Sequence, residues 1–151
     1  MNITLKTLAQ VSDQEVFDFV AKHLLTQNKA ARAGPREDFD EPRYHYGELK
    51  CAAGCLIADE EYSPRFERKS WRQLVSTGKV PKEHVDLIAA LQKVHDASNF
   101  LMWKTKLKEL AISRSLNFEV LNHDYSGNAV SSNKTTSVRS SRPTPSKPKQ
   151  S

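Results

Sequence analysis

At 151 residues with 38% hydrophobic content, the chain has the size of one ordinary domain. Its formal charge of +5 comes from one place: residues 126–151 carry Lys134, Arg139, Arg142, Lys147 and Lys149 and no acid, and removing those five from the 23 basic residues leaves 18, equal to the 18 acidic ones. No apolar run follows a basic start, no window approaches the roughly 18 uncharged apolar residues of a membrane span, and two cysteines do not make a secreted disulfide scaffold, so the expectation is a reducing, cytoplasmic setting without a membrane.

Ser12-Asp-Gln-Glu15 is a capping-box pattern, and Val16, Phe17, Val20, Leu24 and Gln27 follow it at helical spacing. With Gly34-Pro35 as a stop, this predicts a helix over residues 13–31. Pro35, Arg36, Glu37, Asp38, Asp40, Glu41 and Pro42 then predict a long charged loop, and Tyr44-His45-Tyr46 a short extended piece turned by Gly47. Periodicity does not decide between helix and strand for residues 51–57. Ser63-Pro64 reads as the cap and first turn of a helix that takes in Phe66, Trp71, Leu74 and Val75 and stops at Gly78. Pro81 opens the next, with Val85, Leu87, Ile88, Leu91 and Val94 on its apolar face. Beyond a cap at Ser98-Asn99, one stripe holds Phe100, Trp103, Leu107, Leu110 and Ala111, with Lys104, Lys106, Lys108 and Glu109 outward. Asn117 reads as a left-handed terminator before Phe118-Glu-Val-Leu121, a short strand or packed arm.

These elements predict a mainly α fold: a compact bundle of four to five helices over residues 1–122, with the long charged loop and one or two short strands. Residues 123–151, rich in Ser, Thr, Pro and Lys, predict a disordered basic tail, because such a composition buries too little apolar area to offset chain entropy. The tail reads first as a solubilising extension, second as a weak electrostatic tether to nucleic acid through residues 126–151.

Both cysteines fall within Gly47-Glu-Leu-Lys-Cys51-Ala-Ala-Gly-Cys55-Leu-Ile-Ala-Asp59-Glu-Glu-Tyr62. On a regular helix their Cβ atoms would lie about 5–6 Å apart, too far for a disulfide, which needs about 3.5–4.5 Å. A shared zinc ion, with His45 as a third ligand, is a minor reading, since no second cysteine pair exists. A thiol nucleophile would draw on His95-Asp96 as its base, yet Asp59, Glu60 and Glu61 would raise a neighbouring thiol pKa. The favoured reading is that Cys51, Ala52, Gly54 and Cys55 are small residues that let another helix approach closely. His84 and His95 lie on nearly one helix face but about 16 Å apart, so they cannot share an ion, and each reads as structural. Trp71 and Trp103 read as core, and the acidic run as a solvated turn. Phosphate loops, nucleophile elbows and paired-histidine zinc motifs do not occur in the sequence.

Three segments carry a resemblance: Gln14-Glu-Val-Phe-Asp-Phe-Val-Ala-Lys-His23-Leu-Leu-Thr-Gln27, Leu49-Lys-Cys-Ala-Ala-Gly-Cys-Leu-Ile-Ala-Asp-Glu-Glu-Tyr62, and Val94-His-Asp96 with Trp103. They resemble a family of small uncharacterised proteins of bacteria and tailed phages with a Cys-x-x-x-Cys-Leu-Ile-x-Asp-Glu block. The likeness covers roughly residues 8–118. It brings no catalytic residue and no cofactor; it implies a phage or mobile-element context inside a host cell. The expectation is an accessory protein, not an enzyme, that binds a host protein through Tyr44, His45, Tyr46, Lys50, Cys51, Cys55, Asp59, Glu60, Tyr62 and His95. The runner-up is a nucleic-acid-binding regulator using the tail with Lys104, Lys106 and Lys108. The third reading is a metal- or thiol-dependent enzyme at Cys51, Cys55 and His95.

Overall fold

The computed structural model describes residues 2–33, 41–97 and 99–125. Helix α1 spans Asp13–Gln27 and starts as the sequence predicts. The Glu15 amide donates to Ser12 Oγ at 3.1 Å and the Ser12 amide to Glu15 Oε1 at 2.9 Å. It stops four residues early. Asn28 takes the left-handed conformation at φ 51° and its amide closes on the Leu24 carbonyl, so the terminator is Asn28 and not Gly34-Pro35.

Strand β1 (Arg32–Ala33) pairs antiparallel with β2 (Glu41–Pro42), so the ends of the expected charged loop are drawn together; residues 34–40 lie outside the described residues. Strands β3 (His45–Tyr46) and β4 (Leu49–Lys50) form a second antiparallel pair, in the register His45 to Lys50 and Tyr46 to Leu49. Gly47, at φ 61°, is the first of its two loop residues, the position where a II′ hairpin turn calls for glycine. Residues 51–57 form neither an α-helix nor a strand: a turn leads into a 3-10 helix at Gly54–Leu56.

The single helix expected after Ser63 is two pieces. Ser63 caps a 3-10 turn at Pro64–Phe66. Arg68 then turns left-handed at φ 67°, and a second capping box, Ser70 with Gln73, starts α2 (Trp71–Ser76). Helix α3 spans Val85–Ala97; Pro81 lies in the approach to it, and His84 at φ 63° makes the final turn. Asn99 caps a 3-10 turn at Phe100–Met102 ahead of α4 (Trp103–Ser113). A 3-10 turn winds about 120° per residue instead of 100°, which takes Phe100 off the apolar stripe and leaves it 41% exposed. The positive φ near the end of α4 belongs to Ser115, while Asn117 Oδ1 accepts from the Glu119 amide and opens a last 3-10 turn at Glu119–Asn122. That turn is the packed arm of the prediction, with Leu121 buried. Tyr125, just past the expected domain limit, is buried too, and its hydroxyl donates to the Val120 carbonyl at 2.8 Å. The basic tail from residue 126 lies outside the described residues.

The fold is thus mainly helical, as expected, with four α-helices and two small strand pairs among the described residues. Helix α3 is central, packing on α1, α2 and α4. The core gathers Val16, Phe17, Val20 and Leu24 of α1, Leu87, Ile88 and Leu91 of α3, and Trp71 and Trp103, both tryptophans buried as expected. Among the described residues no helix is long and apolar enough to cross a membrane.

Candidate functional site

Residues 44–62 form a scaffold clamped from three sides by polar side chains of other elements. From α1, Gln27 grips Lys50 twice: its Nε2 donates to the Lys50 carbonyl at 2.9 Å and its Oε1 accepts from the Lys50 amide at 3.0 Å. His23 Nε2 donates to the same carbonyl at 2.8 Å, and burial holds its imidazole below the usual histidine range. From α3, Gln92 Oε1 accepts from the Ala53 amide at 2.9 Å. Glu67, after the Pro64–Phe66 turn, accepts from the Tyr44 amide at 2.9 Å, the His45 amide at 3.3 Å and the Tyr62 hydroxyl at 2.6 Å. Burial, and then this carboxylate, push the Tyr62 hydroxyl up to about 12.

Inside the scaffold the side chains expected to form a contact surface hold one another. His45 Nε2 donates to the carbonyls of Gly54, at 2.9 Å, and Ile57, at 3.1 Å, and the ring stacks on Tyr62 at 4.4 Å. Lys50 Nζ meets Asp59 at 3.1 Å and holds that carboxyl below its usual range. The Tyr44 hydroxyl donates to the Lys69 carbonyl at 2.5 Å. Glu61 accepts from the amides of Leu5 and Ala58 through Oε1 and of Lys6 through Oε2, tying the N-terminal segment to the acidic turn. Only Tyr46, Asp59 and Glu60 of the expected contact residues face outward.

The two thiols are free. Cys51 is fully buried, and its Sγ accepts from the Gly54 amide at 3.2 Å. Cys55 Sγ donates to the Ala52 carbonyl at 3.1 Å. Burial pushes both thiols up, which suppresses the thiolate that nucleophilic or metal chemistry requires. His95 is fully buried and both its ring nitrogens are engaged. Nε2 accepts from the Ala31 amide at 3.0 Å, so Nδ1 carries the hydrogen and donates to Asp96 Oδ1 at 2.8 Å. Its ring stacks on Trp103 at 5.5 Å. The lone pair that a general base needs is therefore occupied by a backbone N–H. His84 likewise bridges the Asp13 carboxylate and the Val11 carbonyl. Among the described residues no three His, Cys, Asp or Glu side chains are placed to share a metal ion.

Beside the scaffold lies a cleft of about 440 Å³, between the end of β2, α2 and α3. Tyr44 and Trp71 line it, edge to face at 6.3 Å, and Arg43, Arg68, Lys69, Arg72 and Lys93 surround them. Arg68 pairs with Glu41 at 3.2 Å and Arg72 with Asp86 at 2.8 Å. Among the described residues Lys69 and Lys93 have no carboxylate partner. Asp96 also lines the cleft, but its Oδ1 is taken by His95 and by Gln92 Nε2, at 2.7 Å. Two N–H groups are buried here without an acceptor among the described residues, Trp71 Nε1 and Arg43 Nε. Each costs about 1–3 kcal/mol in that state.

Of the residues expected to form the contact surface, only Tyr44 lines this cleft; His95 touches it through Asp96, and Trp71, read from the sequence as core, lines it too. Sequence reasoning missed Arg43, Lys69, Trp71 and Lys93 as a group, because they come from three separated segments with no shared motif. It also missed the clamps. For Gln27 a signal existed, since an amide stood within the apolar stripe of α1; Glu67 and Gln92 had none. Comparison with family models, curated proteins and solved structures gave no match.

Proposed function

We propose that this domain is a small accessory protein of a phage or mobile element that acts by binding an acidic surface of a host protein, without bond-breaking chemistry of its own. The observation that carries the reading is the cationic cleft over Tyr44 and Trp71. It is the place among the described residues where uncompensated positive charge, aromatic surface and a concave shape coincide. Charge of one sign in a concave surface accelerates encounter with an oppositely charged partner and fixes its orientation. The buried Cys51 thiol, the Cys55 thiol held on the Ala52 carbonyl and the fully engaged His95 support the same reading, because they leave the usual nucleophile and base without a working arrangement.

A second reading has one observation in its favour: Lys104, Lys106 and Lys108 are exposed on α4, as a surface for nucleic acid would require. Affinity purification of the tagged full chain from host cells separates the two. The expected result is one acidic host protein, retained when residues 126–151 are deleted and reduced at least about tenfold in Lys69→Glu/Lys93→Glu. Recovery of nucleic acid, with a steep salt dependence and loss on deleting residues 126–151, would favour the second reading and overturn the first.

A further inference from the structure

We propose that the deep end of this cleft is an oxyanion site, in which Arg43 Nε–H and Trp71 Nε1–H donate to the oxygens of a single carboxylate or phosphate group. The inference deepens the binding reading above: it names the chemical group by which an acidic partner would anchor. Three observations carry it. Trp71 is 1% exposed, and its indole N–H has no acceptor among the described residues. Arg43 Nε is in the same state in the same cleft wall. Indole and guanidinium are donors only, so the group that satisfies both must be an acceptor, and paired acceptor oxygens on one atom suit two donors that line one cleft.

Charge selects an anion over a neutral carbonyl. Lys69 and Lys93 border the cleft with no carboxylate partner among the described residues, whereas Arg68 and Arg72 are neutralised by Glu41 and Asp86. Asp96 is the one carboxylate among the described lining residues and opposes an anion beside it, and its Oδ1 is already taken by His95 and Gln92. The cleft volume, about 440 Å³, falls within the range of small-ligand sites and leaves room for an apolar stem along Tyr44. Both donor nitrogens lie beneath the surface, so side chains of the cleft wall must shift for an oxyanion to reach them.

The chain has two tryptophans, so a nitrogen-labelled sample of the full protein shows two indole N–H resonances, and Trp71→Phe assigns them. The probes are inorganic phosphate and acetate, each against sodium chloride at matched ionic strength. The expected result is a saturable shift of the Trp71 resonance, a stationary Trp103 resonance, and at least about tenfold weaker binding in Arg43→Met. Saturation at lower concentration by phosphate or by acetate tells which oxyanion the site prefers. If Arg43→Met loses the dispersed Trp103 signal and so its fold, Lys93→Gln replaces it, with several-fold weakening expected. The inference is overturned if the Trp71 resonance responds to phosphate and acetate no more than to chloride, or if the variant titrates like the parent. Host-protein capture that persists without oxyanion binding would sink this site alone; oxyanion binding without capture would sink the partner reading alone.

Discussion

Gly54 shows how closely residues 44–57 are built. A Cβ there would stand 2.0 Å from the Tyr44 carbonyl oxygen, a backbone atom that cannot swing aside. Gly78 presents the opposite case: its φ of 73° favours glycine, yet a Cβ would meet nothing within 4 Å. Gly54→Ala is therefore expected to cost about 3 kcal/mol or more, by forcing β3 away from the Cys-containing turn. Gly78→Ala is expected to cost only about 1 kcal/mol, from backbone strain. Urea unfolding of both variants checks this, and equal losses would show that the close approach at Gly54 is not tight. At this scale the sequence was informative about place more than about cause. The dense small-residue block was visible as unusual, and small residues there do admit close packing. At Gly54 what is admitted is the backbone of Tyr44, while helix α1 packs on the Gly54–Leu56 turn as well.

Elements are joined by polar clamps whose effect depends on pH. His23, with Gln27, fastens α1 to β4 at the Lys50 carbonyl. Burial keeps the folded imidazole from taking a proton until below its ordinary value of 6.5. The unfolded chain takes one near that value, so protonation favours unfolding. Stability is full above about 6.5 and declines as pH falls toward the lower folded value. His23→Gln keeps a donor near Lys50 and removes the titration. Its unfolding free energy between pH 7.5 and 5 is expected to vary less than that of the parent; an unchanged slope would mean that His23 is not the group responsible. Element boundaries were legible where a local device set them. The Ser12 and Glu15 box marked the start of α1 because both partners lie within one turn. The left-handed Arg68 and Ser115 were not legible, since nothing in their side chains favours that conformation; Asn28 is of a type that does favour it, but the Gly34-Pro35 pair offered a later stop. The Ser70 and Gln73 box was present in the sequence, but Ser63-Pro64 offered an earlier start that tertiary packing cuts short.

Across the whole molecule, helical class and core tryptophans follow from hydrophobic spacing, a local signal. The cleft does not, because Arg43, Lys69, Trp71 and Lys93 meet only after β2, α2 and α3 have packed. The residues that look most chemical in the sequence are the ones that hold this packing together: Cys51 and Cys55 in the turn, His45 on two carbonyls, His95 between Ala31 and Asp96. The binding proposed for the cleft then falls to residues that look ordinary. Recovery of the proposed host partner by two full-length variants, purified side by side with the parent, weighs this directly. Cys51→Ala/Cys55→Ala is expected to retain the partner at the parental level, whereas Lys69→Glu/Lys93→Glu is expected to lose at least about nine-tenths of it. Loss in the cysteine variant, while it unfolds like the parent in urea, together with full retention in the lysine variant, would contradict the assignment of binding to the cleft.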